Sequence, residues 1–172
     1  DTPVQNTQKQ CRLTAPCGDE VGDEPLPRIS KGSSYKYGEA FDVTGDAKVI
    51  NGYVLVKQDN TKGTFGNGDE TAKFIYKKLG RIIPVDPNGN PIPGADTPIY
   101  QNDPNDPTKV VPNEPIPNVP GYTPIDPSPV TPADPGKDTP VPYTQNQYGL
   151  TEQFVDEDGN ELLPSVSKGS SY

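Results

Sequence analysis

Thr71-Ala72-Lys73-Phe74-Ile75-Tyr76-Lys77 sets Ala72, Phe74 and Tyr76 on one face and Lys73, Ile75 and Lys77 on the other. That period of two marks a half-buried β-strand, because successive side chains leave the backbone on opposite sides. Upstream, Ala40-Phe41-Asp42-Val43, Val49-Ile50, Gly52-Tyr53-Val54-Leu55-Val56-Lys57 and Thr64-Phe65 carry β-formers in short runs. The breaks between them are Thr44-Gly45-Asp46, Asn51-Gly52, Asp59-Asn60 and Gly66-Asn67-Gly68-Asp69. All are turn chemistry with residues that tolerate positive φ. Residues 12–80 therefore read as a small β-rich domain inside a first unit of 1–80.

The chain also repeats itself. Ser30-Lys31-Gly32-Ser33-Ser34-Tyr35 recurs letter for letter as Ser167-Lys168-Gly169-Ser170-Ser171-Tyr172, an offset of 137 residues. The correspondence runs back without a gap to Asp1-Thr2-Pro3-Val4, which recurs as Asp138-Thr139-Pro140-Val141. Residues 1–137 are one repeat, and 138–172 open the next. A fixed period of this kind implies a tandem array, built to reach and to bind many times.

The second copy begins its first strand well. Tyr148-Gly149-Leu150-Thr151-Glu152-Gln153-Phe154-Val155-Asp156 alternates and ends in the turn Asp156-Glu157-Asp158-Gly159-Asn160-Glu161. The first copy reads Cys11-Arg12-Leu13-Thr14-Ala15-Pro16-Cys17-Gly18-Asp19. Pro16 removes a ladder donor and Gly18 adds entropy, so this strand is expected to be degenerate, at an edge or partly replaced. Residues 144–172 thus hold a good opening strand without partners, and 36–80 the partners with a poor opening strand. The tail is expected to add to a sheet edge, within one molecule or by strand exchange between copies. A boundary without structural meaning is the alternative.

Hydrophobic residues make up 30% of the 172, with no Trp and no Met. Residues 81–143 hold 18 of the 23 prolines, with Asp-Pro at 86–87, 103–104, 106–107, 126–127 and 134–135. Such spacing forbids helix. Two readings compete for this second unit: a stiff polyproline-like spacer, or a thin proline-rich, elongated β domain. Apolar residues between the prolines favour the β domain, with strands at Pro98-Ile99-Tyr100-Gln101, Lys109-Val110-Val111, Gly121-Tyr122-Thr123 and Pro140-Val141-Pro142-Tyr143.

The formal net charge is −9. That repels phosphate backbones and weakens attraction to anionic lipid, so neither nucleic acid nor a membrane surface is an expected partner. No apolar run is long enough to span a bilayer, which excludes membrane insertion by a helix. The chain carries no signal peptide or anchor, and reads as a fragment of a longer one. With no His, the usual general base and commonest metal ligand are missing, which lowers the case for an enzyme. No phosphate loop, zinc ligand set or nucleophile motif is present, and no cofactor is expected. Cys11 and Cys17 stand where the second copy has Tyr148 and Phe154. They are candidates for a disulfide in an oxidising compartment, or two free thiols serving as small apolar residues.

Several of these words resemble the MucBP (mucin-binding protein) domain of Mub-type mucus-binding repeats. They are Tyr37-Gly38-Glu39-Ala40-Phe41, Ile50-Asn51-Gly52-Tyr53-Val54-Leu55-Val56, Gly63-Thr64-Phe65 and Asp69-Glu70-Thr71-Ala72-Lys73-Phe74-Ile75-Tyr76-Lys77. Phe154-Val155-Asp156-Glu157-Asp158-Gly159-Asn160-Glu161 is similar to the opening of the next such domain. Val119-Pro120-Gly121-Tyr122-Thr123-Pro124 and Pro135-Gly136-Lys137-Asp138-Thr139-Pro140-Val141-Pro142-Tyr143 resemble the accessory domain of the repeat. The resemblance implies a mainly β chain: a ubiquitin-like β-grasp over 1–80, an accessory β domain over 81–143, and the next repeat's opening strand and turn over 144–172. It implies secreted, cell-wall-attached Gram-positive adhesins whose anchor lies outside this fragment. The implied partners are host mucin glycans or glycoproteins, and in some members immunoglobulin. It supplies no catalytic residues. A passive stalk that projects a distal binding head is the rival.

Two sets of side chains remain as site candidates. Asp156, Asp158 and Glu161 suggest a calcium loop, but a full site needs six or more oxygens, and Val21 replaces Asp158 in the first copy. A plain acidic turn is the favoured reading. Tyr35, Tyr37, Tyr100 and Tyr122 lie beside small polar residues and suit a sugar-binding face. Tyr53, Tyr76 and Tyr122 also suit a β core with the hydroxyl at the surface.

Overall fold

A computed structural model describes residues 26–169 in full and 11–19 as backbone. The repeat's opening at 1–10, the connection at 20–25 and the closing Ser170-Ser171-Tyr172 lie outside the described residues. Among the described residues there are strands and one 3₁₀ turn, Thr44–Asp46, and no α-helix.

The first unit contains β1 (Cys11–Asp19), β2 (Leu26–Tyr35), β3 (Ala40–Asp42), β4 (Tyr53–Asp59), β5 (Lys62–Thr64), β6 (Glu70–Thr71) and β7 (Lys73–Lys78). Its main sheet runs β2-β1-β7-β4, with β6 also on β1. β1 is antiparallel to β2 but parallel to β7, and β4 returns antiparallel on β7. The poor opening strand is therefore not at an edge. It lies inside the sheet and accommodates its sequence through register shifts, one of them spanning Pro16 between Ala15 and Cys17. The edge on its side is β2, which the sequence pattern does not mark as a strand, because its residues stay largely exposed and show no alternation.

The thiols of Cys11 and Cys17 lie outside the described atoms, but their backbone does not. The two residues sit six apart on one strand, opposite Tyr35 and Leu26. At the rise of a strand their Cα atoms are about 20 Å apart, whereas a bridge needs them within about 7 Å. An intrachain Cys11–Cys17 disulfide and an extended β1 therefore exclude each other.

Ala72, Phe74 and Tyr76 are buried, as the alternation predicts, and join Phe41, Val43, Ile50, Leu55 and Phe65 in one core. Phe65 is its centre: Tyr35 stacks on it at 4.6 Å and Phe41 meets it edge-on at 5.2 Å. The Val49-Ile50 run is not a strand but part of a coil across the sheet face. It is strapped there by Tyr76, whose hydroxyl donates to the Lys48 carbonyl at 2.6 Å and accepts from the Lys48 N–H at 3.1 Å.

The second unit is folded around its own core of Ile82, Ile92, Tyr100, Val119, Val141 and Tyr143. Its sheet places β10 (Thr139–Gln145) between β8 (Ile82–Val85), parallel, and β9 (Tyr122–Pro124), antiparallel. Two prolines in a middle strand are unusual. Here Thr139 donates to the Arg81 carbonyl on the β8 side, so the neighbouring Pro140 ring faces away from β8. β9 does not begin to pair until Tyr143, so no donor is needed there. The expected strands at 98–101 and 109–111 shrink to isolated bridges, Arg81–Ile99 and Asn102–Val110. The continuous strand at 82–85 was not foreseen.

The Asp-Pro dipeptides explain how so much proline forms a body. In each, the aspartate Oδ1 accepts the N–H two residues on: Asp86 from Asn88, Asp103 from Asn105, Asp106 from Thr108, Asp126 from Ser128 and Asp134 from Gly136. Proline presets φ and aspartate captures the freed donor, so each dipeptide is a self-contained turn.

The two units meet through backbone. Gly80 donates to the Pro135 carbonyl at 2.8 Å, and a Cβ on Gly80 would lie 2.0 Å from the Lys137 carbonyl oxygen. Leu55 donates to the Pro107 carbonyl at 2.8 Å. The Asn102 side chain enters the 50–53 turn of the first unit. Its Oδ1 accepts from the Gly52 N–H at 2.8 Å, and its Nδ2 donates to the Ile50 and Tyr53 carbonyls at 2.9 and 2.6 Å.

The tail is a hairpin of β11 (Thr151–Val155) and β12 (Glu161–Ser167), paired only with each other.

Candidate binding surface

The exactly repeated hexapeptide occupies the end of edge strand β2. Gly32 has φ +127°, a conformation that favours glycine, and the β1–β2 register shifts beside it. The chain then turns at Lys36-Tyr37-Gly38-Glu39. Glu39 Oε2 accepts the Lys36 N–H at 2.9 Å, and Gly38 takes φ +79°. Gly38 also donates to the Phe65 carbonyl, which ties the turn to the core.

These features leave a shallow cleft of about 240 Å³ lined by Lys31, Gly32, Ser33, Ser34, Tyr35 and Glu39. Tyr35 forms its base. The ring is stacked on Phe65 and fixed further by its hydroxyl, which donates to the Lys31 carbonyl at 3.2 Å. Lys31 is held over the cleft by Asp46, 3.0 Å from its Nζ. Tyr37 stands at the tip of the adjoining turn, 66% exposed. One fixed ring, one displayed ring, two serine hydroxyls, an ammonium and a carboxylate are a fitting set for a hydroxyl-rich ligand.

The other tyrosine candidates do not join them. Tyr100 is 2% exposed, and its hydroxyl bonds to the Thr139 hydroxyl. It is a core residue, not a displayed ring, because its neighbours Ile82 and Val141 need a large apolar partner between the short strands. Tyr122 is half-buried against the same core. Of the residues read as core, Tyr76 is fully buried and Tyr53 packs against the first core.

Asp156, Asp158 and Glu161 form a turn. Asp156 Oδ1 accepts from the N–H groups of Asp158 and Asn160, and Oδ2 from the Asn160 side chain. These bonds, chiefly the one from the Asn160 backbone, hold its carboxyl below the usual range. Glu161 accepts from Ser165 instead. Asp86-Pro87-Asn88-Gly89-Asn90 makes the same turn with the same two backbone bonds to Oδ1. Among the described residues, no three potential ligands gather as a metal site.

Two larger open clefts carry less chemistry. One of about 450 Å³ runs between 103–112 and 131–135, and has no aromatic wall. Its Lys109 lies 3.9 Å from Asp106, and Thr108 donates to that same carboxylate. The other, about 400 Å³, lies at the junction, where Asn102 is already engaged. The sequence reading missed Lys31, Ser33, Ser34 and Glu39. The signal for the first three was there: an exposed polar stretch repeated without change.

Residues 14–77 match the family model of the MucBP domain. This part of the chain is a MucBP domain. It comprises the sheet β2-β1-β7-β4, and the cleft at Tyr35 lies within it. Among solved structures, the crystal structure of Mub-RV is similar at 21% identity, over 79% of this chain and 99% of that one, with a TM-score of 0.30. No curated protein matches the chain. MucBP domains occur in bacterial surface proteins.

Proposed function

We propose that the chain is a non-catalytic repeat of a secreted, wall-attached adhesin that binds host mucin glycoproteins through their glycans. The MucBP match over 14–77 carries this reading. The cleft at Lys31–Tyr35, with Tyr37 beside it, supports it as the place of contact. The sheet order, with the opening strand parallel to β7, supports a β-grasp frame in which the coil of 47–50 covers the sheet. Residues 81–143 are the accessory half of the repeat. Binding per unit is weak and is raised by repetition.

Immobilised chain retains native mucin and loses it after enzymatic deglycosylation. Tyr37→Ala weakens retention about fivefold, the equivalent of a contact of roughly 1 kcal/mol. Retention that ignores deglycosylation sinks the glycan reading. No retention at high surface density favours the stalk, a reading that the locked junction at Gly80 and Asn102 supports.

A further inference from the structure

The tail hairpin is a two-stranded sheet with solvent on both faces. Phe154, Val155, Leu162, Leu163 and Val166 are all exposed, Leu162 by 64%. Two strands alone are marginal in water, and adjoining apolar side chains of this size mark a contact surface.

The register shows what fits there. Thr151–Ser167, Glu152–Val166 and Phe154–Leu163 in the tail repeat Thr14–Ser30, Ala15–Ile29 and Cys17–Leu26 in the head, each shifted by the repeat length. Both hairpins carry a register shift at the same place, before Phe154 and before Cys17. Gly169 has φ +113° where Gly32 has +127°. The two hairpins are thus interchangeable in backbone. The head hairpin already displays its seat: β1 lies parallel on β7, with Cys17 opposite Phe74 and Leu13 opposite Glu70 on β6.

We propose that β11–β12 of one copy docks on β7 of a second copy, in place of that copy's β1–β2, and joins the chains head to tail. The transposed register sets Thr151 opposite Thr71, Phe154 opposite Phe74 and Val155 opposite Ile75. The incoming strand has what the resident lacks. Gln153 offers a ladder N–H where Pro16 has none, Val155 replaces Gly18, and Phe154 brings a ring where the resident has Cys17. Charge agrees: Glu152, Asp156, Glu157 and Asp158 approach Lys73, Lys77 and Lys78 of β7, whereas the resident has Ala15 and Val21 for Glu152 and Asp158. Each copy gives one hairpin and accepts one, so the assembly grows beyond a pair unless it closes.

The test uses the full chain. Sedimentation equilibrium shows a mass that rises with concentration in whole-chain steps, and Phe154→Asp weakens this association at least about tenfold. Thr71→Cys with Thr151→Cys, in a chain carrying Cys11→Ser and Cys17→Ser, gives on oxidation a disulfide between those two positions. Mixing isotope-labelled and unlabelled copies yields hybrid cross-links. All these substitutions outside β1 are at exposed side chains, so folding is kept. Three outcomes overturn the proposal: a monomer at every concentration, a 71–151 cross-link confined to single copies, or association that Phe154→Asp leaves unchanged.

Discussion

Asn102→Ala removes the side chain that joins the two units. Three hydrogen bonds go with it, to Gly52, Ile50 and Tyr53. A net bond contributes about 0.5–1.5 kcal/mol, and the half-buried site lets water reach the freed backbone groups. The loss is therefore about 2 kcal/mol, toward the lower half of the summed range. For a chain of this length that lowers Tm by about 4–8 °C. The more discriminating variant is Asn102→Asp. It keeps an acceptor for Gly52 but turns the other oxygen on the Ile50 and Tyr53 carbonyls, so it destabilises more than Ala does. Hydrogen exchange read by mass spectrometry follows β7 and β10 peptides separately. In the wild type the two exchange together, and in Asn102→Ala they separate. A loss under about 0.5 kcal/mol, or Asp milder than Ala, refutes the assignment of Asn102 as the clasp.

Two further predictions concern backbone. Gly80→Ala places a Cβ against the Lys137 carbonyl and costs about 3 kcal/mol by overpacking; a Tm within a degree or so of wild type refutes that tight passage. In acid, Asp42, Asp106, Asp126 and Asp156 act together. Side-chain bonds from Thr44, Thr108 and Ser128, and the backbone bond from Asn160, lower their pKa from the ordinary 3.8. A carboxyl lowered in the folded state stabilises at pH above its unfolded value and loses that contribution as pH falls through its folded value. Thermal stability is therefore flat from neutral pH to about 5 and falls below about 4, and Asp→Asn at the four sites, which keeps the acceptor oxygen, flattens the fall.

Period-two alternation made β7 legible because one face meets a core and the other water. Runs of β-formers found β4 and β3, and apolar residues between prolines found β10. Alternation failed at β2, where only the end residues Leu26 and Tyr35 pack on the core and all those between are exposed, since a strand without a continuous buried face leaves no pattern. It misjudged β1, because propensity weighs Pro16 and Gly18 but not the neighbours on either side that hold the strand in the sheet. Tyr100 shows the limit for the site. Flanking residues do not reveal burial when the core is assembled from segments as distant as Ile82 and Val141. Asn102 left no local sign at all, for its partners lie some fifty positions upstream. What the sequence did expose was the hexapeptide at 30–35, because repetition without change is visible before any fold is known.

The acidity of the chain has a structural source that bears on where a ligand can sit. Asp42, Asp86, Asp103, Asp106, Asp126, Asp134 and Asp156 each accept the N–H two residues on. With proline at the next position in five of them, the turn is preset and the unfolded chain has fewer states to lose. That lets short strands and a small core suffice for the second unit. Seven of the 24 acidic residues are thus acceptors of turns, with carboxylate oxygens already bonded. It says little about the charge a ligand prefers. The cleft at Tyr35 differs in kind: its serine hydroxyls and its lysine belong to no turn of this type, and its ring is fixed by Phe65 without being covered. In the proposed cleft only Glu39 also serves a turn, by accepting the Lys36 N–H.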